Sequence, residues 1–167
     1  MKKLVLIFML FVAIAANAQN EAAELVKQGL QKSNMGNHDE ALALYSQAIE
    51  TDPEHLDAYV KRAYVNSILK NYEATLDDYN KILSIKPDLV IVYVSRGSAY
   101  SKLKQYDKAI ADFDLAISLD KNNSEAYNNR GWAKKNKGDS DGACEDWKTS
   151  KKLGNEEAKI ILKNNKC

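Results

Sequence analysis

Apolar residues recur along most of the chain at the three- and four-residue spacing of amphipathic helices. This pattern repeats every 34 residues. Four blocks follow one another without gaps, at 22–55, 56–89, 90–123 and 124–157. Each block predicts a first helix over about its first 14 positions and a second helix from about position 17 to about position 30. The chain is therefore predicted to be all-α, an α-solenoid of four antiparallel helix pairs.

Two columns of the repeat explain how the paired helices would pack. Position 8 carries small residues, which let two helices approach closely: Gly29, Ala63, Gly97 and Gly131. Position 24 carries large aromatic residues, which fill the space left by the small ones: Tyr45, Tyr79, Phe113 and Trp147. Pro53 and Pro87 end the second helices of their blocks, because proline cannot continue the backbone hydrogen-bond ladder. Residues 158–167 have room for a short C-terminal capping helix.

The first 18 residues have a different pattern and predict a cleaved signal peptide. The basic residues Lys2 and Lys3 precede an apolar run over 4–16, and the small residues of a cleavage site end at Ala18. The alternative is a membrane anchor, but the run has 13 residues and a helix needs about 20 to span a bilayer. We expect the chain from Gln19 onward to be periplasmic or secreted, without stable membrane insertion.

The charge balance narrows the classes of partner. The chain has 24 Lys and Arg against 23 Asp and Glu, for a net charge of +1, which becomes −1 when Lys2 and Lys3 are removed. A nucleic-acid surface needs a clear excess of basic residues. The sequence therefore argues against a nucleic-acid partner.

The repeat resembles the tetratricopeptide repeat family, of an exported bacterial type, over residues 22–157. Besides positions 8 and 24, the resemblance rests on position 4 and position 20. Position 4 reads Leu25, Tyr59, Tyr93, Tyr127, and position 20 reads Ala41, Thr75, Ala109, Ala143. Position 11, which is usually aromatic in the family, reads Lys32, Asn66, Tyr100, Lys134. The four blocks are therefore called repeats 1 to 4.

Arginine and aspartate recur together within the repeats. Position 7 reads Arg62, Arg96 and Arg130, and position 23 reads Asp78, Asp112 and Asp146, in repeats 2 to 4. Repeat 1 lacks both, with Gln28 and Leu44 in their places. This joint occurrence predicts one structural ion pair in each of repeats 2 to 4, between the first and second helices. The alternative is a row of three arginines that binds an anion.

The sequence offers no set of residues for catalysis. The two histidines, His38 and His55, lie half a repeat apart, without the carboxylate or thiol spacing of a catalytic triad or a metal site. No glycine-rich phosphate loop is present, since Gly97 belongs to a predicted helix. We expect no enzyme, no metal and no cofactor.

The chain has two cysteines, Cys144 and Cys167. In an oxidising compartment they predict one disulfide, which would tie the C-terminal cap to repeat 4. The alternative is a buried free thiol at Cys144 and a frayed C-terminal tail.

In the tetratricopeptide repeat family the first helices line a concave groove, and the resemblance implies that positions 2, 5, 9 and 12 face it. The side chains expected to bind a partner are Val26, Leu30, Val60, Tyr64, Ile91, Val94, Asn128 and Trp132. Tyrosine and tryptophan often dominate interface energy, so Tyr64 and Trp132 are the expected anchors. The alternative is that both pack between neighbouring helices, or cover the floor of the groove without binding a partner. Some relatives hold acidic chaperone tails with a Lys, Asn and Arg clamp, but here the corresponding positions are mainly apolar.

The leading hypothesis is a non-enzymatic scaffold or adaptor that binds a segment of a partner protein or peptide in the groove. A second hypothesis is a periplasmic holding chaperone or assembly factor with loose specificity. A third is a structural component that self-associates. One saturable partner, several unrelated clients, or concentration-dependent size would distinguish the three.

Overall fold

The computed structural model describes the backbone of residues 2–167 and the side chains of residues 16–167. Most of the predicted signal peptide, residues 1–18, lies outside the residues whose side chains are described. Its last three residues, from Ala16 to Ala18, belong to a helix that continues to Asn34. Among the residues searched, none of the helices combines the length and the apolar character needed to cross a membrane.

Residues 2–167 form nine helices and no strand, which confirms the predicted all-α solenoid with a C-terminal helix. The helices are α1 (Lys2–Asn34), α2 (His38–Thr51), α3 (Leu56–Ile68), α4 (Tyr72–Ile85), α5 (Val90–Lys102), α6 (Tyr106–Leu119), α7 (Ser124–Lys137), α8 (Ser140–Lys152) and α9 (Glu156–Asn164). The helices α3, α5 and α7 begin at the first positions of repeats 2, 3 and 4. The cap begins at Glu156, two residues before the predicted boundary.

The chain divides into two compact units, residues 1–85 and residues 86–167. Unit 1 contains α1 to α4, and unit 2 contains α5 to α9. Each unit holds two of the four helix pairs, and the cap α9 packs on α8.

The core of unit 1 depends on close approach between α1 and α2. Tyr45 of α2 is 1% exposed, and its ring lies against Gly29 of α1. A Cβ added at Gly29 would come within 2.6 Å of that ring, so the small residue makes room for the aromatic one. Ala22 and Val26 of α1 complete this cluster together with Ala58 and Val65 of α3.

The core of unit 2 repeats the same arrangement with a larger ring. Trp147 of α8 is fully buried, and its indole Nε1 donates a hydrogen bond to the backbone oxygen of Asn128 at 3.2 Å. A Cβ added at Gly131 would lie 2.5 Å from that nitrogen. A buried tryptophan needs a partner for its N–H, and the backbone of α7 supplies it. Ile161 of α9 packs against the same cluster.

The turn after each first helix requires a left-handed residue at position 15. Gly36 and Gly138 meet this requirement with φ of 81° and 105°, but Lys70 and Lys104 adopt φ of 63° and 58°. Left-handed backbone is unfavourable for residues with a Cβ. The packing of the helix pairs therefore imposes the turn even where the sequence contains no glycine.

The cap is joined to repeat 4 by a disulfide between Cys144 of α8 and Cys167, the last residue. The Cα atoms of the two cysteines are 5.5 Å apart, and the bond closes a loop with a sequence separation of 23. The bond fixes the C-terminal residue beside α8, so α9 is tethered at its end as well as by the packing of Ile161.

Removal of this disulfide should lower the free energy of unfolding by roughly 3 kcal/mol, because the unfolded chain gains the freedom that a loop of this length had lost. We expect the unfolded, unreduced protein isolated from its source cell to contain no free thiol, and a Cys167→Ser variant to lose hydrogen-exchange protection first in α9. Two free thiols in the isolated protein, or unchanged protection of α9, would contradict this prediction.

Candidate partner-binding site

Four exposed apolar side chains of unit 1 lie on its first helices, while Met35 and Leu69 lie in the turns that follow them. Val60, Tyr64 and Ile68 are spaced four residues apart on α3, so they share one face of that helix, and they are 39%, 59% and 45% exposed. Leu30 of α1 is 40% exposed. We call these four residues the unit 1 strip. The sequence predicted three of them and missed Ile68, although its spacing from Tyr64 gave the same helical signal.

Unit 2 exposes a tryptophan whose orientation is fixed by the core. Trp132 of α7 is 39% exposed, and its ring meets the buried Trp147 edge to face, with centroids 5.1 Å apart. Ile91 of α5 is also exposed. Because Trp132 is packed on one side and open on the other, it offers a rigid aromatic surface to a ligand.

A pocket of about 300 Å³ adjoins Trp132, and we call it the Trp132 pocket. It is lined by Ser98, Ser101, Lys102, Phe113, Asn129, Trp132 and Asn136. The hydroxyl oxygen of Ser101 is buried and forms no hydrogen bond within the described residues. The pocket therefore combines one aromatic wall with hydroxyl, amide and ammonium groups that can donate to an acceptor-rich ligand.

The structure corrects three of the predicted groove residues. Val26, Val94 and Asn128 are 5%, 2% and 5% exposed, so they are not available to bind a partner in the way the sequence predicted. All three occupy position 5, where each is covered by the first helix of the next repeat or by the cap, whereas Val60 at position 5 of repeat 2 is 39% exposed. Val26 packs with Ala58 of α3, and Val94 packs with α7 residues in the core of unit 2.

Asn128, the third of these, lies under the cap. Its side-chain nitrogen donates to Glu157 of α9 at 3.5 Å, and its side-chain oxygen is buried without a partner in the described part of the chain. Its backbone oxygen accepts the bond from Trp147. Asn128 therefore links α7 to α8 and α9.

The arginines at position 7 bond the aspartates at position 23 in the arrangement expected for structural ion pairs. The shortest nitrogen–oxygen distances are 2.6 Å for Arg62–Asp78, 2.7 Å for Arg96–Asp112 and 2.5 Å for Arg130–Asp146. In each pair two guanidinium nitrogens reach the same carboxylate. The three aspartates are almost completely buried, so these pairs are costly to break.

The environment of Arg62 and Asp78 changes the ionisation of both groups. The pKa of Arg62 is raised, mainly because its hydrogen bonds to Asp78 favour the charged guanidinium. Burial raises the pKa of Asp78, since the loss of hydration outweighs the bonds from Arg62. The carboxylate of Asp78 therefore depends on Arg62 to remain charged.

Arg62 and Arg130 also reach the preceding repeat of their own unit, which the sequence did not predict. Arg62 donates through Nη1 to Ser46 Oγ at 3.0 Å, and Arg130 Nη1 lies 2.5 Å from Asp114 Oδ1. Ser46 and Asp114 both occupy position 25, and their polar character was the signal that could have revealed this contact.

The faces of the guanidinium groups are also occupied. Arg62 lies over the ring of Tyr59 at 5.7 Å, and Arg130 lies over Tyr127 at 5.3 Å. With their nitrogens bonded and their faces stacked, these arginines have little left to bind an external anion. This arrangement favours the structural interpretation over a row of arginines for ligand binding.

The histidines occupy helix starts. His55 precedes α3, and its Nδ1 accepts a hydrogen bond from the backbone nitrogen of Ala58 at 3.3 Å. His38 is the first residue of α2. Across the side chains that the structure describes, no group of three or more His, Cys, Asp or Glu residues could hold a metal ion.

Comparison with protein families gives tetratricopeptide repeat matches along the chain. Three models of this repeat match residues 26–89, 90–123 and 113–145. Together they cover residues 26–145 without a gap. A comparison with curated proteins gave no significant match.

Solved structures with the same fold include MamA 41-end from Desulfovibrio magneticus RS-1. It is 22% identical, with a TM-score of 0.75, over 81% of this chain and 76% of that chain. Another MamA crystal structure is 23% identical, with a TM-score of 0.76, over 84% of this chain and 82% of that chain. The first TPR of Spaghetti (RPAP3), bound to the HSP90 peptide SRMEEVD, is 25% identical with a TM-score of 0.65, over 70% of this chain and 93% of that chain.

Proposed function

Because the chain belongs to the tetratricopeptide repeat family, we propose that it is a non-enzymatic scaffold that binds a segment of a partner protein on its first helices. The tetratricopeptide repeat is a protein-interaction fold, and one structural neighbour is bound to a peptide. The observation that carries the proposal is the exposure of large apolar side chains on these helices, including Ile91 at 62% and Tyr64 at 59%. Such side chains are hydrated at a cost when no partner covers them.

Each unit contributes its own contact surface. In unit 1 the strip offers Leu30, Val60, Tyr64 and Ile68, an apolar face for the side chains of a bound segment. In unit 2 the exposed face of Trp132 adjoins a pocket with polar walls, which suits the backbone or polar side chains of a segment. Aromatic anchors of this kind commonly contribute most of the binding energy in an interface.

The proposed location is outside the cytoplasm, in the periplasm or the medium. It is supported by the signal-peptide pattern that ends at Ala18 and by the disulfide, which is typical of an oxidising compartment. The mass of the isolated protein tests the proposal, since it reports whether Gln19 is the mature N-terminus. A full-length chain with free thiols would contradict it.

The binding surface is tested by quantitative capture from an extract of the source cell, with wild-type protein and single variants as baits. Tyr64→Glu places a charge in the unit 1 strip, and we expect it to reduce recovery of a specific partner at least about tenfold, as the loss of an interface anchor does. Leu119→Glu is the matched control, because Leu119 is 49% exposed but belongs to a second helix, α6.

Circular dichroism must first show that both variants retain the helical content of the wild type. A partner lost with Tyr64→Glu and kept with Leu119→Glu supports binding on the first helices. A partner lost only with Leu119→Glu, or recovered equally by all three baits, would show that the first helices are not the binding surface.

A further inference from the structure

A polar cleft opens in unit 1 where the second helices α2 and α4 flank α3. It has a volume of about 270 Å³ and is lined by Leu42, Ser46, Arg62, Asn66, Ala74, Asp77 and Asp78. None of these residues belongs to the unit 1 strip. The cleft is therefore separate from the surface proposed above to bind a partner segment.

Asn66 of α3 gives the cleft an unused hydrogen-bonding group. The residue is 7% exposed, yet its side-chain amide forms no hydrogen bond within the described part of the chain. Its amide is not among the buried polar atoms left without a partner, so it is open to water in the cleft. Because Asn66 lines the cleft, its donor and acceptor are available to a ligand there.

The charges around the cleft favour a cation. Asp78 is bonded to Arg62, whereas the neighbouring Asp77 is exposed and forms no ion pair with any residue whose side chain is described. Two carboxylates therefore face one guanidinium. Burial raises the pKa of Asp78, and Asp77 raises it further, so a second cation would stabilise the charged form of Asp78.

Repeat 4 shows how a second cation is accommodated at the equivalent place. The counterpart of Asn66 at position 11 is Lys134, whose Nζ lies 2.9 Å from Asp146 Oδ2. Arg130 bonds the same carboxylate, just as Arg62 bonds Asp78 in repeat 2. Lys134 is 21% exposed along its side chain, so in repeat 4 an ammonium of the chain itself occupies a half-buried site between the helices.

Repeats 1 and 3 also carry a lysine at position 11 or position 19. Lys32 at position 11 pairs with Glu40 at 2.6 Å, and Lys108 at position 19 lies 5.4 Å from the centre of the Tyr100 ring. Repeat 2 instead has Asn66 and Ala74 at these two positions. Repeat 2 is therefore the repeat that has no lysine at either position, and it keeps the acidic residues Asp77 and Asp78.

We propose that this cleft binds the ammonium group of a lysine side chain from a partner protein, in the position that Lys134 has in repeat 4. The ammonium donates to the carboxylates of Asp77 and Asp78 and to the side-chain oxygen of Asn66. The aliphatic part of the lysine lies against the apolar lining of the cleft. Charge-assisted hydrogen bonds of this kind are among the stronger ones in proteins.

The test uses Nα-acetyl-lysine methylamide as the probe, with the norleucine analogue as the uncharged control, and follows the side-chain amide resonances of the full chain by NMR. We expect the lysine probe, and not the norleucine probe, to shift the Asn66 resonance. Asp77→Asn should weaken this binding about tenfold, the value of one charge-assisted hydrogen bond. Glu21→Gln removes the same charge from α1, outside the cleft, and should leave binding unchanged.

Equal weakening by Asp77→Asn and Glu21→Gln would overturn the proposal, because it would show general attraction to acidic protein. Absence of lysine-probe binding would overturn it as well. Methylammonium binding as tightly as the lysine probe would assign the cleft to a free amine and rule out recognition of a lysine side chain.

A second measurement is independent of any probe. Asn66→Lys supplies the ammonium from the chain itself, as Lys134 does, whereas Asn66→Met supplies a side chain of similar length without charge. We expect the lysine variant to have the higher melting temperature and to lose binding of the lysine probe. A melting temperature equal to or below that of Asn66→Met would contradict the proposal.

Discussion

Replacement of Arg62 with methionine should lower the free energy of unfolding by about 3–5 kcal/mol, because it leaves the buried carboxylate of Asp78 without its partner. Asp78 is 2% exposed, and Arg62 is the residue that forms its ion pair. Asp78→Asn should cost less, since it removes the charge together with the need to neutralise it. Urea unfolding followed by far-UV circular dichroism measures both values.

The ion pair of repeat 4, Arg130–Asp146, provides a control for this prediction. In Arg130→Met the carboxylate of Asp146 still has Lys134 at 2.9 Å, so we expect a smaller loss of stability than in Arg62→Met. Acidification should also reduce the loss in free energy of unfolding that Arg62→Met causes relative to the wild type. Burial raises the folded-state pKa of Asp78 even when Arg62 is present, and the loss of Arg62 should raise it further. A raised carboxylate pKa contributes stability that is fully present below the unfolded-state pKa and is lost as pH rises through the folded-state pKa. Equal losses in the two arginine variants, or a loss in Arg62→Met that grows on acidification, would contradict this account.

Replacement of Trp147 with alanine should destabilise the protein by about 3–5 kcal/mol, the usual cost of removing a large buried aromatic side chain. The ring is fully buried, fills the space beside Gly131 and donates to the backbone of α7. Its loss should also release Trp132, which packs edge to face on it. We therefore expect the fluorescence of Trp132 to shift to longer wavelength in the variant while it is still folded.

Trp132→Ala is the matched control, because it removes the same side chain from a site that is 39% exposed. We expect it to cost less than half as much stability as Trp147→Ala, since burial sets most of the cost of such a change. If the two variants unfold at the same urea concentration, the indole of Trp147 is not the centre of the unit 2 core.

Much of the fold was predictable because the residues that define it act over short distances in sequence. Gly29 and Tyr45, or Gly131 and Trp147, come from the same repeat and pair a small residue with a ring, so their spacing alone predicts a helix pair. The disulfide was foreseen as one of two alternatives from the positions of Cys144 and Cys167, and the structure contains it. The left-handed conformation of Lys70 and Lys104 could not be predicted, since it is imposed by packing against the preferences of lysine.

The candidate site was less predictable because it depends on contacts between repeats. Position 5 was expected at the surface, but Val26 and Val94 are covered by the first helix of the following pair. Exposure of Tyr64 and Trp132 was predicted from the repeat register, and both side chains reach solvent. The cleft around Asn66 became visible only when three helices were placed together, because its lining residues come from α2, α3 and α4.

The contacts from position 7 to position 25 have a consequence for how each unit opens. Arg62 bonds Ser46 of repeat 1 and Asp78 of repeat 2, so loss of either repeat breaks a network that also holds the other. In a linear array of repeats, two neighbours open together when the interaction between them is strong compared with the stability of each repeat alone. The two repeats of unit 1 should therefore behave as one foldon, and the fraying of single helix pairs that weakly coupled solenoids show should be suppressed.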